Sequence, residues 1–135
     1  MQISDVMTAN PAAAQAGDSL QSVAAQMSSG NFGSMPVLER GKLVGVVTDR
    51  DIAVRGVAQG YGPDQPVSAV MTANPVCVAP NCDVGEAAQQ MQDKQIRRLY
   101  VTDNDALVGV VALGDVAREA DEQLSGETLE EISRS

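Results

Sequence analysis

The 135-residue chain contains no histidine and no tryptophan, a single phenylalanine, two tyrosines and two cysteines. Without histidine, the commonest general base and the commonest zinc ligand are both missing. Aromatic residues make up only 2% of the chain, too few for the stacking platforms of single-strand binders. The core must therefore be built from Val, Leu, Ile, Ala and Met. Cys77 and Cys82 complete neither a structural zinc site nor a disulfide framework, and they read as small buried or half-buried fillers. Positive charge is scarce as well: 9 Lys and Arg stand against 18 Asp and Glu, for a net charge of −9. That balance disfavours nucleic acid and anionic membrane surfaces as partners. No apolar run is long enough to span a bilayer and no signal peptide pattern opens the chain, which predicts a cytoplasmic protein. There is no Gly-x-x-x-x-Gly-Lys phosphate loop, metal-ligand cluster or activated nucleophile pattern, so the chain is not expected to be an enzyme.

What the chain does have is a copy of itself. Val6-Met7-Thr8-Ala9-Asn10-Pro11 recurs as Val70-Met71-Thr72-Ala73-Asn74-Pro75. At the same spacing, Leu43-Val44-Gly45-Val46-Val47 falls on Leu107-Val108-Gly109-Val110-Val111, and Asp51 falls on Asp115. Roughly a third of positions match without a gap from residue 6 to 55, where chance gives well under a tenth. The chain is a tandem duplication. Two copies are too few, and the period too long, for a solenoid, so the copies are expected to pair face to face about a pseudo-two-fold axis.

Each copy reads as β-α-β-β-α, an α+β class. A short helical turn is expected at Ser4 to Met7 and Ser68 to Met71, then an extended piece at Ala12 to Ala14 and Val76 to Val78. Leu20, Val23, Ala24 and Met27 follow at helical spacing, as do Val84, Ala87, Ala88 and Met91. Ser19 and Asp83 are aligned N-caps, with Glu86 three beyond Asp83. Hairpins turn at Arg40-Gly41 and Asn104-Asp105. Their second strands, Leu43 to Val47 and Leu107 to Val111, are apolar on consecutive residues, which suggests burial on both faces. Closing helices are expected from Asp49 to Gln59 and from Asp115 to Glu122. The boundaries are 1–59 for the first copy, 60–67 for a Gly- and Pro-rich linker, 68–122 for the second copy and 123–135 for an acidic tail. That tail carries a weak Leu124, Leu129 and Ile132 stripe.

The stretch that points to function is Gly45-Val46-Val47-Thr48-Asp49-Arg50-Asp51, where a buried strand delivers a polar turn to a helix start. Unpaired N–H groups and the positive dipole end make such a place suited to phosphate. Thr48-x-x-Asp51 also fits a capping box that satisfies the helix itself.

With Val-Met-Thr near the start of each copy, Ser34-Met35-Pro36-Val37 before the hairpin and Gly-Val-Val-Thr-x-x-Asp after it, the chain resembles a tandem cystathionine-β-synthase (CBS) domain pair. The likeness extends from Val6 to about Arg118 and is greatest to small stand-alone bacterial members. It implies that 1–122 form one module, a CBS motif pair, that binds an adenosine-containing ligand such as AMP, ADP, ATP, S-adenosylmethionine or NAD. It implies further a non-catalytic sensor with no required cofactor, which forms a homodimer and regulates a partner protein. Carried over by position, Thr48 donates to phosphate and Asp51 accepts from ribose hydroxyls, as an acceptor-only carboxylate suits a diol. Ala13, Ala14, Ser34, Met35, Pro36 and Val37 would wall the base, and Arg50 or Arg55 would neutralise phosphate. The second copy keeps Asp115 but has Ala112 in place of the threonine. It adds Arg97 and Arg98 before the strand, with Cys77, Val78, Leu99 and Tyr100 as the remaining wall. The resemblance implies a weaker or altered second site there. An alternative function is a structural or protein-interaction module with no ligand in use.

Overall fold

The structure, a computed structural model, describes residues 1–119. The expected end of the second closing helix and the acidic tail lie outside the described residues. In chain order, a 3-10 turn at Ile3–Asp5 leads into β1 (Thr8–Ala9) and β2 (Ala14–Gln15), then α1 (Leu20–Gly30). A hairpin follows, β3 (Ser34–Glu39) and β4 (Lys42–Thr48), and then α2 (Asp49–Asp51). The second copy repeats the order: a 3-10 turn at Val67–Ala69, β5 (Thr72–Ala73), β6 (Cys77–Val78), α3 (Val84–Asp93), β7 (Arg98–Asp103) and β8 (Ala106–Ala112). A helix over 113–119 then begins two residues earlier than expected. The class is α+β.

Local chemistry accounts for the boundaries. Ser19 caps α1 by accepting from Ser22 N at 3.1 Å, and Asn31 ends it in the left-handed conformation at φ 55°. Asp83 caps α3 through Gly85 N at 2.9 Å, and Glu86 makes no return bond to complete a box. The hairpin turns place Arg40 and Gly41 at φ 54° and 79°, and Asn104 and Asp105 at 51° and 68°, the twist that tight hairpins require. The opening turns start one residue earlier than the pattern suggests, at Ile3 and Val67, both of them fully buried.

The first closing helix departs most from expectation. Only Asp49–Asp51 are α-helical; Ile52–Gly56 form a π-turn and Val57–Gln59 a 3-10 turn. Gly56 is buried, its Cα lying where a Cβ would meet Leu20 Cδ1 at 3.2 Å.

The compact units cut across the copies. The first-repeat unit comprises Ala12–Pro75 with Asp105–Leu107, and the second-repeat unit Met1–Pro11, Val76–Asn104 and the chain from Val108. In the first-repeat unit β2 runs parallel to β3 while β3–β4 and β4–β5 are antiparallel, with Gly45 opposite Ala73. Its core joins Ala14, Leu20, Val23, Met27, Met35, Val37 and Val47 to Val67 and Val70. In the second-repeat unit β6 runs parallel to β7 and β1 pairs antiparallel with β8, Thr8 opposite Val110. Its core joins Val78, Val84, Ala87, Met91, Leu99, Val101, Val111 and Val116 to Ile3. Burial along β4 and β8 is alternating rather than complete: Gly45 and Val47, Gly109 and Val111 are buried, and their neighbours half-buried. One face of each strand is therefore core and the other faces outward from it.

Candidate functional site

Strand pairing decides which of the proposed wall residues share a face. Across β3 and β4, Ser34 lies opposite Thr48 and Pro36 opposite Val46, while Met35 lies opposite Val47 and Val37 opposite Gly45. Side chains alternate along a strand, so Ser34, Pro36, Val46 and Thr48 line one face and Met35 and Val37 the other. Met35 and Val37 are fully buried in the core, as is Ala14, whose parallel partner is Val37. These three side chains are core, not wall; a sequence motif of consecutive residues cannot all face one ligand. Ala13, by the same alternation, falls on the Ser34–Pro36 side. Val46 joins this face although its motif position does not mark it; counting back by two from Thr48 finds it.

The second repeat shows the same division. Cys77 pairs with Tyr100 and Val78 with Val101. Val78, Leu99 and Val101 belong to the core, which leaves Cys77, Arg98, Tyr100 and Ala112 on the outward face. Arg97 and Arg98 are both exposed, and Tyr100 is buried.

At the first helix start the capping box is complete. Asp51 N donates to Thr48 Oγ1 at 3.0 Å and Thr48 N to Asp51 Oδ2 at 3.0 Å. Asp49 N donates to the Gly33 carbonyl at 2.9 Å and Arg50 N to Asp49 Oδ1 at 2.8 Å. The first three helix N–H groups are thus engaged within the protein, which removes the backbone donors on which a phosphate site here would depend. Thr48 keeps its hydroxyl hydrogen and Asp51 its second carboxylate oxygen for other partners. Arg50 is exposed. Arg55 is occupied: its Nη1 donates to the carbonyls of Val70 and Met71 at 3.3 Å and to Thr72 Oγ1 at 3.4 Å.

At the second helix start Ala112 has no side-chain oxygen, and Asp115 Oδ1 instead accepts from Arg118 Nη2 at 2.8 Å. Leu113 N donates to the Arg97 carbonyl at 2.7 Å, the counterpart of the Asp49–Gly33 bond. An open cavity of about 610 Å³ lies elsewhere, between α1 and the first closing helix. It is lined by Met27, Phe32, Asp49, Ile52 and Val57 and touches neither Thr48 nor Asp51. Hydrogen-bond chemistry, not cavity size, is the better guide to a polar ligand here.

The fold, the repeat and this pair of helix starts define a CBS-type module. The family model for the CBS domain matches residues 3–56 and 67–122, and the chain belongs to that family. It is 42% identical over 132 residues to CBS domain-containing protein YhcV of Bacillus subtilis, covering 97% of this chain and 94% of the relative. Among solved structures, Hypoxic Response Protein I with two coordinated zinc ions is 28% identical, with a TM-score of 0.77 over 87% of this chain and 98% of that one. The CBS domain pair of protein MJ0100, in complex with 5′-methylthioadenosine and S-adenosyl-L-methionine, is 26% identical with a TM-score of 0.75, over 91% and 98%. Among the described residues of this chain, no three His, Cys, Asp or Glu side chains are grouped to hold a metal ion. No helix among them is long and apolar enough to cross a membrane.

Proposed function

We propose that the chain is a non-catalytic regulatory module that binds an adenosine-containing ligand on the outward faces of its repeats. The observation that carries this reading is the geometry at Thr48 and Asp51, where a free hydroxyl hydrogen and a free carboxylate oxygen border the Ser34–Pro36–Val46 face. Asp51 is the acceptor for ribose hydroxyls and Thr48 the neighbouring donor. Ala13 and Ser34 form the base wall beside the buried Pro36, and Cys77 and Arg98 its counterpart beside the buried Tyr100. Support comes from the family and from the adenosyl ligands of the MJ0100 pair.

Thermal melts with AMP, ATP, NAD, S-adenosylmethionine and 5′-methylthioadenosine test it. Ligand at a hundred times its Kd adds about 2.7 kcal/mol to stability. A shift is expected with at least one of the five, and Asp51→Ala should lose any shift due to the first repeat, measured against its own ligand-free melt. No shift with any at millimolar concentration refutes the proposal.

A homodimer belongs to the same reading, and one surface supports it. The eleven residues of α1 carry no charge, and beside them Val54, Val57 and Tyr61 are 48%, 68% and 41% exposed. A groove of about 430 Å³ next to Val57 is lined by Leu20, Ala24, Ile52, Tyr61 and Pro63. Copies of a chain with net charge −9 repel, so an uncharged face is where they meet at least cost. Sedimentation of wild type and Val57→Arg distinguishes a dimer through this face from a monomer. The interaction-module reading shares this surface, and differs in predicting a protein partner captured equally with and without nucleotide.

A further inference from the structure

We infer that the first closing helix has two hydrogen-bond registers, and that Arg55 is a latch through which residues 70–72 select the wider one. The inference is independent of the ligand-binding reading above.

The two registers meet at Val57. Its N–H is shared between the Ala53 carbonyl, the α-helical acceptor four residues back, and the Ile52 carbonyl, the π acceptor five back. Further on the wider spacing prevails: Tyr61 N donates to the Gly56 carbonyl at 3.0 Å, again five residues back. One bond of the narrower register is therefore already present in the wider one.

The second repeat supplies the comparison. Its closing helix is α-helical over 113–119, through the positions that correspond to the π-turn residues Ile52 to Arg55. At the repeat spacing Arg55 falls on Glu119, whose carboxylate cannot donate to a carbonyl. In the first repeat the guanidinium reaches the end of the Val67–Ala69 turn. Its Nη1 donates to the Val70 and Met71 carbonyls at 3.3 Å and to Thr72 Oγ1 at 3.4 Å. Gly56, the next residue, is buried where a Cβ would meet Leu20 Cδ1 at 3.2 Å and Val70 Cγ1 at 3.5 Å. Arg55 and Gly56 together fasten the π-turn to that segment.

The register acts at Val57. This residue and Ile52 line both the 610 Å³ cavity and the 430 Å³ groove. A five-residue repeat keeps the two on one side of the helix. Five residues of α-helix turn through about 500°, which would leave Val57 about 140° from Ile52. The latch therefore keeps this shared apolar wall assembled, and displacement of residues 70–72 takes it apart. The position of the second copy's opening segment is in this way reported on the exposed face of the first copy's closing helix.

Through-hydrogen-bond NMR couplings in the full chain test the latch. In wild type, Val57 N should couple to the carbonyl carbons of both Ile52 and Ala53, and Tyr61 N to that of Gly56. Arg55→Met keeps the aliphatic stem and removes the donors. Val57 N should then couple to Ala53 alone, and Gly60 N, in place of Tyr61 N, to Gly56. Gly45→Ala works from the other end and leaves Arg55 in place. Its Cβ would meet Met71 Sδ at 2.6 Å and the Thr72 carbonyl at 2.9 Å, so it should drive the same change. Gly109→Ala crowds Met7 and Thr8 instead and should leave residues 52–61 as in wild type. Survival of the π couplings in Arg55→Met overturns the inference, as does their loss with no α couplings in their place. An equal response to Gly45→Ala and Gly109→Ala overturns it too, since that is general destabilisation. Should an alanine variant fail to fold, Arg55→Met decides.

Discussion

Thr48 and Asp51 cap each other reciprocally, each backbone N–H donating to the other's side chain at 3.0 Å, whereas their counterparts Ala112 and Asp115 make no such pair. An N-cap threonine contributes about 1 kcal/mol, so Thr48→Ala should lower unfolding free energy by about that amount in urea titration. Ala112→Thr supplies the missing cap beside an acid already at the right spacing. It is expected to raise stability by about 0.5 to 1 kcal/mol in the same assay.

The glycine repeated in Leu-Val-Gly-Val-Val is a packing requirement. A Cβ on Gly45 would meet Met71 Sδ at 2.6 Å and the Thr72 carbonyl at 2.9 Å, and one on Gly109 would collide with the Met7 sulfur and meet the Thr8 carbonyl at 3.1 Å. Because a backbone carbonyl is among the obstacles, a rotamer change does not relieve the crowding. Gly45→Ala and Gly109→Ala should each cost about 1 to 3 kcal/mol. Amide exchange should quicken in β5 for the first and in β1 for the second.

Ile3 and Val67 are fully buried, each in a core built mainly from the other repeat. Ile3→Ala should cost about 2 to 5 kcal/mol, and its loss of exchange protection should concentrate in residues 76–119. Val67→Ala should loosen residues 12–75 instead. Loosening of each variant's own sequence repeat would contradict the unit boundaries.

Burial raises the Cys82 thiol pKa above its ordinary value, and the nearby carboxylates of Glu86 and Asp83 raise it further. The thiol is therefore held protonated in the folded chain. Any stability this contributes is present below the unfolded thiol's pKa and is lost as pH rises through the folded one. Alkylation of Cys82 by iodoacetamide should stay slow at pH 8 and accelerate only at more alkaline pH. Glu86→Gln, which removes one repelling charge, should shift that onset to lower pH.

The element order is legible in the sequence because duplication lets every periodicity be read twice, and because Ser19, Asp83, Asn31 and the paired hairpin turns use side chains whose preferences are local. Less legible is what depends on packing between distant residues. The π-turn at Ile52–Gly56 has no local signature, since Ile, Ala, Val and Arg fit an ordinary helix equally well. The burial of Met35 and Val37 follows from strand alternation, which a motif spelled as four consecutive residues conceals. Thr48 and Asp51 could be picked out as chemically apt, yet the engagement of all three helix-start N–H groups emerges only from the positions of Gly33 and Asp49.

Because residues 1–11 complete the unit of the second repeat, and residues 67–75 that of the first, neither repeat contains every part of either unit. A single-copy ancestor of about 60 residues could close its core only by borrowing the opening segment of a sister molecule and lending its own. Such a protein would be an intertwined pair that unfolds on dilution. In this chain Gly60–Pro66 joins the two copies, so the exchanged segments meet at an effective concentration fixed by the connection rather than by protein concentration. Cutting the modern chain between Gly60 and Pro66 should restore the older state: two fragments, each poorly folded alone, that regain structure on mixing.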